Sequence, residues 1–190
     1  MNIIEITNFI RTTDDALTFL RERGILRALD RPPICPVCGQ QMELKRRQST
    51  GDGEVWRCER RIRGAKHKRQ VSIRHGSFLE QSNLQPWKFV MLAYFWARGC
   101  SNAMLEEFCE LSPHSVIDWC NFFRGVTSRH LLANPIMLGG INRIVQIDES
   151  LVSKRKNNVG RVVEEKLAFG AFDCHTRIGI LVLIPDKTQV

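Results

Sequence analysis

The sequence lacks any long apolar run. No window approaches the ~18–20 uninterrupted apolar residues of a membrane-spanning helix, and the start of the chain lacks the charged and apolar segments of a secretory signal. We therefore expect an intracellular protein without a membrane partner, nuclear in a eukaryote or cytoplasmic in a bacterium. A single Tyr, four Trp and ten Phe among 190 residues supply one medium hydrophobic core or two small ones.

The sequence also lacks an even set of cysteines. Seven cysteines cannot all pair, which argues against a disulfide framework. Cys100, Cys109 and Cys120 lie among apolar residues, where a free cysteine usually packs as a small buried hydrophobe. The other cluster of cysteines lies in a polar, basic stretch and needs a separate explanation.

That cluster has the composition of a metal site. Cys35, Cys38, Cys58 and His67 offer three thiolates and one imidazole, a set that suits tetrahedral structural zinc. A ribbon of about 40 residues with few apolar side chains also needs the free energy of metal binding. Eight residues separate Cys58 from His67, more than in a tight knuckle, so His75 stays open as an alternative fourth ligand.

The positive charge is concentrated in the same region. The chain has a formal charge of +8, and residues 44–75 hold eleven basic residues against three acidic ones, so this segment carries the whole excess. Such a surface is typical of proteins that bind a phosphate backbone, although a solvated face or a localisation signal has the same composition. The candidate DNA contacts here are Arg60, Arg61, Arg63, Lys66, Lys68 and Arg69.

The pattern of caps, turns and periodicity predicts an α+β protein with several domains. Residues 1–30 form a helical segment, with a capped helix that starts at Thr13 and ends at Gly24. Residues 31–80 form a zinc ribbon, and the turn signal Gly51-Asp52-Gly53 separates its first two strands. The predicted ribbon strands are 42–48, 54–58 and 69–74.

Residues 84–132 have a helical pattern. One helix starts at Pro86 and ends at Gly99, a second is capped by Ser101, and a third follows Ser112. The face of the third helix that is predicted to be buried consists of Val116, Trp119, Cys120 and Phe123. The last two helices resemble a helix-turn-helix, with packing of a small bundle as the alternative. Its candidate DNA contacts are Ser115, Asn121 and Arg124.

The chain beyond residue 141 has the pattern of strands, at 143–148, 166–173 and 177–184. Three antiparallel strands with apolar residues on both faces cannot bury themselves. We therefore expect that this part belongs to a longer protein or needs a partner.

Several motifs together resemble the ISXO-like group of DDE transposases. They occur in the order expected for that family, at residues 35–39 (CPVCG), 72–78 (SIRHGSF), 94–97 (YFWA), 146–150 (QIDES) and 156–161 (KNNVGR). The resemblance implies that residues 141–190 are the first part of a ribonuclease H-like transposase domain, truncated here, preceded by DNA-binding zinc-ribbon and helical modules.

The resemblance also implies a function: metal-dependent cleavage and transfer of DNA strands at transposon ends. The family's first catalytic ligand for Mg²⁺ or Mn²⁺ falls on Asp148, whereas its later ligands fall beyond Val190. We therefore expect a fragment or decayed copy with an incomplete catalytic set, and the alternative is a non-catalytic, zinc-dependent DNA-binding regulator. A homo-oligomer is expected by analogy. Further candidate DNA contacts are Lys154, Arg155, Lys156 and Arg161.

Overall fold

The computed structural model describes residues 2–62, 64–153 and 166–184. These residues form five helices and two three-stranded antiparallel sheets, which confirms the α+β class. The chain divides into two units, Met1–Phe123 and Arg124–Val190, which are described separately below. None of the described helices is long and apolar enough to cross a membrane.

Two short helices begin the first unit, α1 (Ile3–Phe9) and α2 (Thr13–Glu22). Each starts with a capping box, in which the side chain of Asn2 or Thr12 accepts a hydrogen bond from a backbone N–H of the first turn. The predicted helix is therefore α2. Helix α1 was not predicted, because Ile6 is its only buried residue and its apolar periodicity is weak.

The ribbon sheet consists of β1 (Glu43–Arg46), β2 (Glu54–Ile62) and β3 (Ala65–Ser72), paired in that order. The predicted third strand, 69–74, was wrong at both ends, because β3 begins four residues earlier and ends two residues earlier. The β2–β3 ladder continues until Ile62 lies opposite Ala65, and Gly64 turns the chain there with a φ of +86°. Glycine adopts this left-handed conformation without steric cost, so the hairpin extends four residues further than predicted.

Three helices complete the first unit: α3 (Pro86–Ala97), α4 (Asn102–Cys109) and α5 (Pro113–Ala133), the last of which extends past the unit boundary. Their predicted starts are confirmed, with Pro86 at the first turn of α3 and the Ser101 hydroxyl accepting from the Met104 N–H. The predicted buried face of α5 is also confirmed.

One hydrophobic core joins these elements. It includes Leu17 of α2, Trp56 of β2, Leu92 of α3 and Val116 of α5, all at most 4% exposed. The predicted N-terminal, ribbon and helical segments therefore share a core. The ribbon contributes Met42, Trp56 and Cys58 to the buried cluster that it shares with the helices, so apolar burial adds to the metal as a source of stability for the ribbon.

A buried ion pair ties the β1–β2 turn to the segment after β3. The Arg74 guanidinium binds both carboxylate oxygens of Asp52 and donates to the carbonyl oxygens of Ser82 at 2.7 Å and Leu84 at 2.8 Å. Both side chains are at most 10% exposed. Arg74 therefore holds the segment 77–84 in place and adds no charge to the basic surface.

The second unit contains an antiparallel sheet of β4 (Val145–Ser153), β5 (Lys166–Asp173) and β6 (Ile178–Ile184). Three strands were predicted here, and the described residues of this unit form three. Strand β4, however, does not end at Asp148 but continues for five residues, so this carboxylate lies in mid-strand. Apolar side chains are exposed on both faces of the described sheet; Ile147 is 65% and Leu181 73% exposed.

The turn between β5 and β6 is built around the buried carboxylate of Asp173. It accepts hydrogen bonds from the backbone N–H groups of Gly139, His175 and Thr176. The hydrogen bond from Thr176, together with the other two, lowers the pKa of Asp173 to about 2 despite its burial. This carboxylate therefore serves the turn.

Candidate metal centre

The first two cysteines of the cluster lie on a tight turn before β1. The Cys35 N–H donates to the Gln40 carbonyl at 2.8 Å, and the Gly39 N–H donates back to the Cys35 carbonyl at 2.9 Å. Gly39 adopts a φ of +68°, which closes the turn and brings Cys35 and Cys38 to the same side. The sequence CPVCG therefore folds as a metal knuckle.

The other two candidate ligands lie on the long hairpin rather than on a second knuckle. Cys58 on β2 pairs with Arg69, and His67 on β3 pairs with Arg60, so Cys58 and His67 are diagonal neighbours on one face. The hairpin geometry explains why eight residues separate Cys58 from His67, the spacing for which His75 was considered as an alternative fourth ligand. A spacing that is too long for a knuckle is correct for two strands joined at Gly64.

The four ligand atoms lie close enough to share one ion. All of them are within 4.8 Å of one another. The Sγ atoms of Cys38 and Cys58 are 3.5 Å apart, and His67 Nε2 lies 3.4 Å from Cys58 Sγ and 3.6 Å from Cys35 Sγ. Tetrahedral zinc with ~2.3 Å bonds to sulfur places its ligand atoms roughly 3.8 Å apart, so the cluster fits zinc.

Burial and mutual contact perturb the thiols. Burial raises the pKa of Cys35, but hydrogen bonds from the backbone N–H groups of Val37 and Cys38 and from His67 outweigh it and lower the pKa to about 6. Burial, together with hydrogen bonds to its thiol neighbours, raises the pKa of Cys58 to about 11. A metal ion must therefore displace protons from the cluster, which makes its binding pH-dependent.

The imidazole of His67 presents Nε2 to the thiols, while no described residue offers its Nδ1 a hydrogen-bond partner. The alternative ligand His75 is exposed and binds the Glu80 carboxylate through Nδ1. Among the described residues, the three cysteines and His67 form the only group of three or more potential ligands of this kind. His67 is thus the fourth member of the cluster, as favoured from the sequence.

Strand alternation sorts the predicted DNA contacts of the ribbon by face. Arg60 and Arg69 share the face of Cys58 and His67, whereas Arg61, Lys66 and Lys68 lie on the opposite face. We call this opposite side the outer face of the ribbon. Arg63 lies outside the described residues.

The outer face includes two further cations that are not among the predicted DNA contacts. Lys45 on β1 and Arg57 on β2 occupy outer-face positions and line one shallow pocket together with Lys68. Both were counted in the basic segment, but only the strand register shows which side they share. Glu43 and Glu59 are the carboxylates on this face of the described strands.

The predicted contacts on α5 do not form one surface. Asn121 and Arg124 are exposed, but Ser115 is half-buried, and its hydroxyl lies 2.9 Å from the Ser112 hydroxyl at the start of the helix. Ser112 Oγ also accepts from the Ser115 N–H at 3.2 Å, so Ser115 takes part in capping. The predicted contacts Lys154, Arg155, Lys156 and Arg161 lie outside the described residues.

The predicted catalytic residue, Asp148, is exposed on β4, and its Oδ1 accepts a hydrogen bond from the Glu149 N–H at 2.8 Å. Its neighbours across the sheet are Gly170 and Leu181, neither of which offers a ligand atom in its side chain. Glu149 lies on the opposite face by alternation. Among the described residues, the sheet therefore places no second carboxylate beside Asp148.

Comparisons with protein-family models, with curated proteins and with solved structures find no match for this chain.

Proposed function

We propose that this chain is a zinc-dependent DNA-binding protein of the ISXO-like transposase type, and that the outer face of its ribbon holds the phosphate backbone of transposon-end DNA. One observation carries the proposal. The hairpin that supplies Cys58 and His67 to the metal cluster presents cations on its other side. Among the described strand residues, the outer face carries five cations, Lys45, Arg57, Arg61, Lys66 and Lys68, against two carboxylates.

The carboxylates on the outer face order some cations without cancelling the positive charge. Lys45 pairs with Glu43 at 2.7 Å, while Glu59 binds both Arg57 and Lys66, the latter at 3.1 Å. Three cations remain in excess of the carboxylates, on a hairpin that a metal ion would hold rigid. Fixed cations of this kind favour binding because they neutralise phosphates and release the counterions condensed around a DNA duplex.

The proposal predicts that two charge-neutralising pairs on opposite faces differ in effect. Arg61→Gln with Lys68→Gln removes two outer-face cations, and we expect roughly tenfold weaker DNA binding and a salt slope reduced by about 2. Arg60→Gln with Arg69→Gln removes the same charge from the metal face and serves as the matched control. Fluorescence anisotropy with a labelled duplex, between low and physiological salt, measures both quantities.

Equal weakening in the two double variants would mean that DNA responds to total charge rather than to one face. If neither double variant changed the affinity, DNA would bind to a surface other than the ribbon. Removal of zinc by a chelator should abolish the difference between the faces, because the hairpin then loses its fixed geometry.

The transposase part of the proposal rests on Asp148 as the first ligand of a catalytic Mg²⁺ or Mn²⁺ pair. It is supported by the exposure of this carboxylate in mid-strand and by the motif around it. A second candidate function, non-catalytic DNA binding, is supported by the surroundings of Asp148. Its cross-strand neighbours Gly170 and Leu181 supply no ligand atom, and two-metal chemistry needs several carboxylates.

We expect the purified chain to bind DNA without cleaving it in Mg²⁺ or Mn²⁺, and Asp148→Asn to leave DNA affinity unchanged. Nicking of a supercoiled plasmid, together with anisotropy, checks both statements. Glu149→Gln is the matched control, since it changes the adjacent carboxylate on the other face. Nicking that Asp148→Asn abolishes and Glu149→Gln preserves would contradict the expectation and show a working catalytic site.

A further inference from the structure

The first unit contains a cleft of about 660 Å³ that the DNA-binding proposal does not use. One wall is the segment 77–84, and the other is the N-terminal half of α5. The volume is several times that of one side chain and lies within the range of ~300–1,000 Å³ that is typical of binding sites.

Aromatic rings line this cleft. The Trp119 indole, only 9% exposed, lies between two rings that reach solvent, Phe78 at 43% and Phe122 at 54% exposed. The centroid of Trp119 is 5.9 Å from that of Phe78 and 5.7 Å from that of Phe122, and both contacts are edge-to-face. A nearly buried ring between two accessible ones offers an apolar floor with π surface on both sides.

The ionisable lining of the cleft has one sign. Its charged residues are Glu80 and Asp118, and no Lys, Arg or His is among the residues that line it. In a chain with a formal charge of +8, this acidic site is an exception. Carboxylates repel phosphate, whereas aromatic faces and carboxylates together attract a cation.

The two carboxylates, Glu80 and Asp118, differ in the hydrogen bonds that they already accept within the protein. Glu80 accepts from the Gly76 N–H at 3.0 Å and binds His75, and the hydrogen bond from Gly76 and then that from His75 hold the pKa of Glu80 below its usual range. Asp118 Oδ2 lies 3.4 Å from His114 Nε2 on the same helix. Asp118, half-exposed beside Trp119, is the carboxylate that a ligand reaches.

The wall opposite α5 is held in place before any ligand binds. The buried Arg74 guanidinium donates to the carbonyls of Ser82 and Leu84, and the Ser77 hydroxyl donates to the Arg74 carbonyl. Ser82 Oγ also accepts from the Leu84 N–H at 3.0 Å. Because a buried ion pair already fixes the segment 77–84, this segment loses little conformational entropy when a ligand binds.

We propose that this cleft binds an arginine side chain presented by an extended segment of a partner polypeptide. The planar guanidinium stacks on the accessible ring of Phe122, beside the Trp119 indole, and donates to the Asp118 carboxylate. The space around one side chain accommodates the flanking residues, and the amides of Gln81 and Asn83 at the rim can bond a peptide backbone. This site is independent of the DNA-binding function proposed for the ribbon.

The test is a titration of the full chain with the peptide acetyl-Ala-Ala-Arg-Ala-Ala-amide, followed by NMR at the Trp119 indole N–H. We expect a saturable shift, and binding about fivefold weaker when citrulline, which is neutral and of similar shape, replaces arginine. Free arginine, which lacks flanking residues, should also bind more weakly. Asp118→Asn should weaken peptide binding by about fivefold.

Glu107→Gln is the matched control, because it removes the same charge from an exposed position on α4 outside the cleft. It should leave peptide binding unchanged. Equal binding of the arginine and citrulline peptides, or equal effects of Asp118→Asn and Glu107→Gln, would overturn the proposal. So would a short duplex DNA that shifts the Trp119 signal at lower concentration than the peptide does, since Ser115 in the cleft was also predicted to contact DNA.

Discussion

Replacing Cys58 by Ser is expected to abolish stoichiometric zinc binding and to unfold the ribbon. Cys58 is 3% exposed, and its thiol contacts Cys38 and His67. Water therefore has little access to the cluster and cannot readily replace the missing thiolate as a ligand. Structural zinc contributes ~10–16 kcal/mol in small zinc domains, which is comparable to the whole stability of a typical domain. Metal analysis and thermal unfolding followed by Trp fluorescence measure both effects, since Trp56 lies two residues away on the same face of β2.

The two histidines provide the sharpest control for this site. His67→Ala should release zinc, whereas His75→Ala should retain it and lose only an exposed contact with Glu80. Cys174→Ser, at an exposed cysteine outside the cluster, should leave the zinc content at one equivalent. Zinc that persists in His67→Ala and disappears in His75→Ala would reverse the assignment of the fourth ligand.

Partial unfolding is a further expected result. The ribbon shares its core with the helices, so Cys58→Ser should leave some helical structure in place while the hairpin loses its order. Circular dichroism of the metal-free protein distinguishes this from complete unfolding. A near-ultraviolet tryptophan signal that stays unchanged in the metal-free chain would instead show that the apolar core alone orders the ribbon, because Trp56 of β2 is one of its four sources.

Local signals in the sequence predicted the starts of four of the five described helices and the residues of the Cys3His cluster. Pro86, Ser101 and Ser112 mark helix starts because a cap or a fixed φ acts within one turn of the chain. The knuckle of Cys35 and Cys38 is equally local. These features depend on neighbours in sequence, so a single chain contains the information.

The features that were missed depend on pairing between distant residues. Strand β3 starts at Ala65 because the ladder with β2 continues as far as Ile62, and only that register explains the spacing of Cys58 and His67. The same register separates the outer-face cations from those near the metal. A count of charges along the sequence cannot make this separation, because adjacent strand residues point to opposite faces.

Composition alone places Arg74 with the basic surface, because it is one of the eleven basic residues between 44 and 75. The structure places it in a buried ion pair with Asp52, and its contact with the Ser82 carbonyl positions one wall of the cleft that α5 lines. Burial of a charge depends on tertiary contacts, which no local pattern in the chain indicates. Within this basic stretch, Arg74 therefore has a structural role, whereas the outer-face cations are those proposed to bind DNA.

Arg74→Met should be the most destabilising change outside the metal site. Methionine fills much of the same space but leaves the Asp52 carboxylate buried without its partner, and breaking a buried pair in this way costs about 3–5 kcal/mol. It also removes the donors to Ser82 and Leu84, so two backbone carbonyls lose their hydrogen bonds. Urea unfolding of the zinc-loaded chain measures the change in free energy of unfolding.

A double-mutant cycle shows whether the cost comes from the unpaired charge. Asp52→Asn in the Arg74→Met background removes the carboxylate charge, and we expect the double variant to be less destabilised than the sum of the single variants. Arg46→Met is the matched control, since Arg46 pairs with Asp14 at 3.2 Å on the surface and should cost less than about 1 kcal/mol. If Arg74→Met costs no more than Arg46→Met, the pair is not buried in solution. The wall of the cleft would then lack its anchor, and the peptide should bind the Arg74→Met variant as well as it binds the unaltered chain.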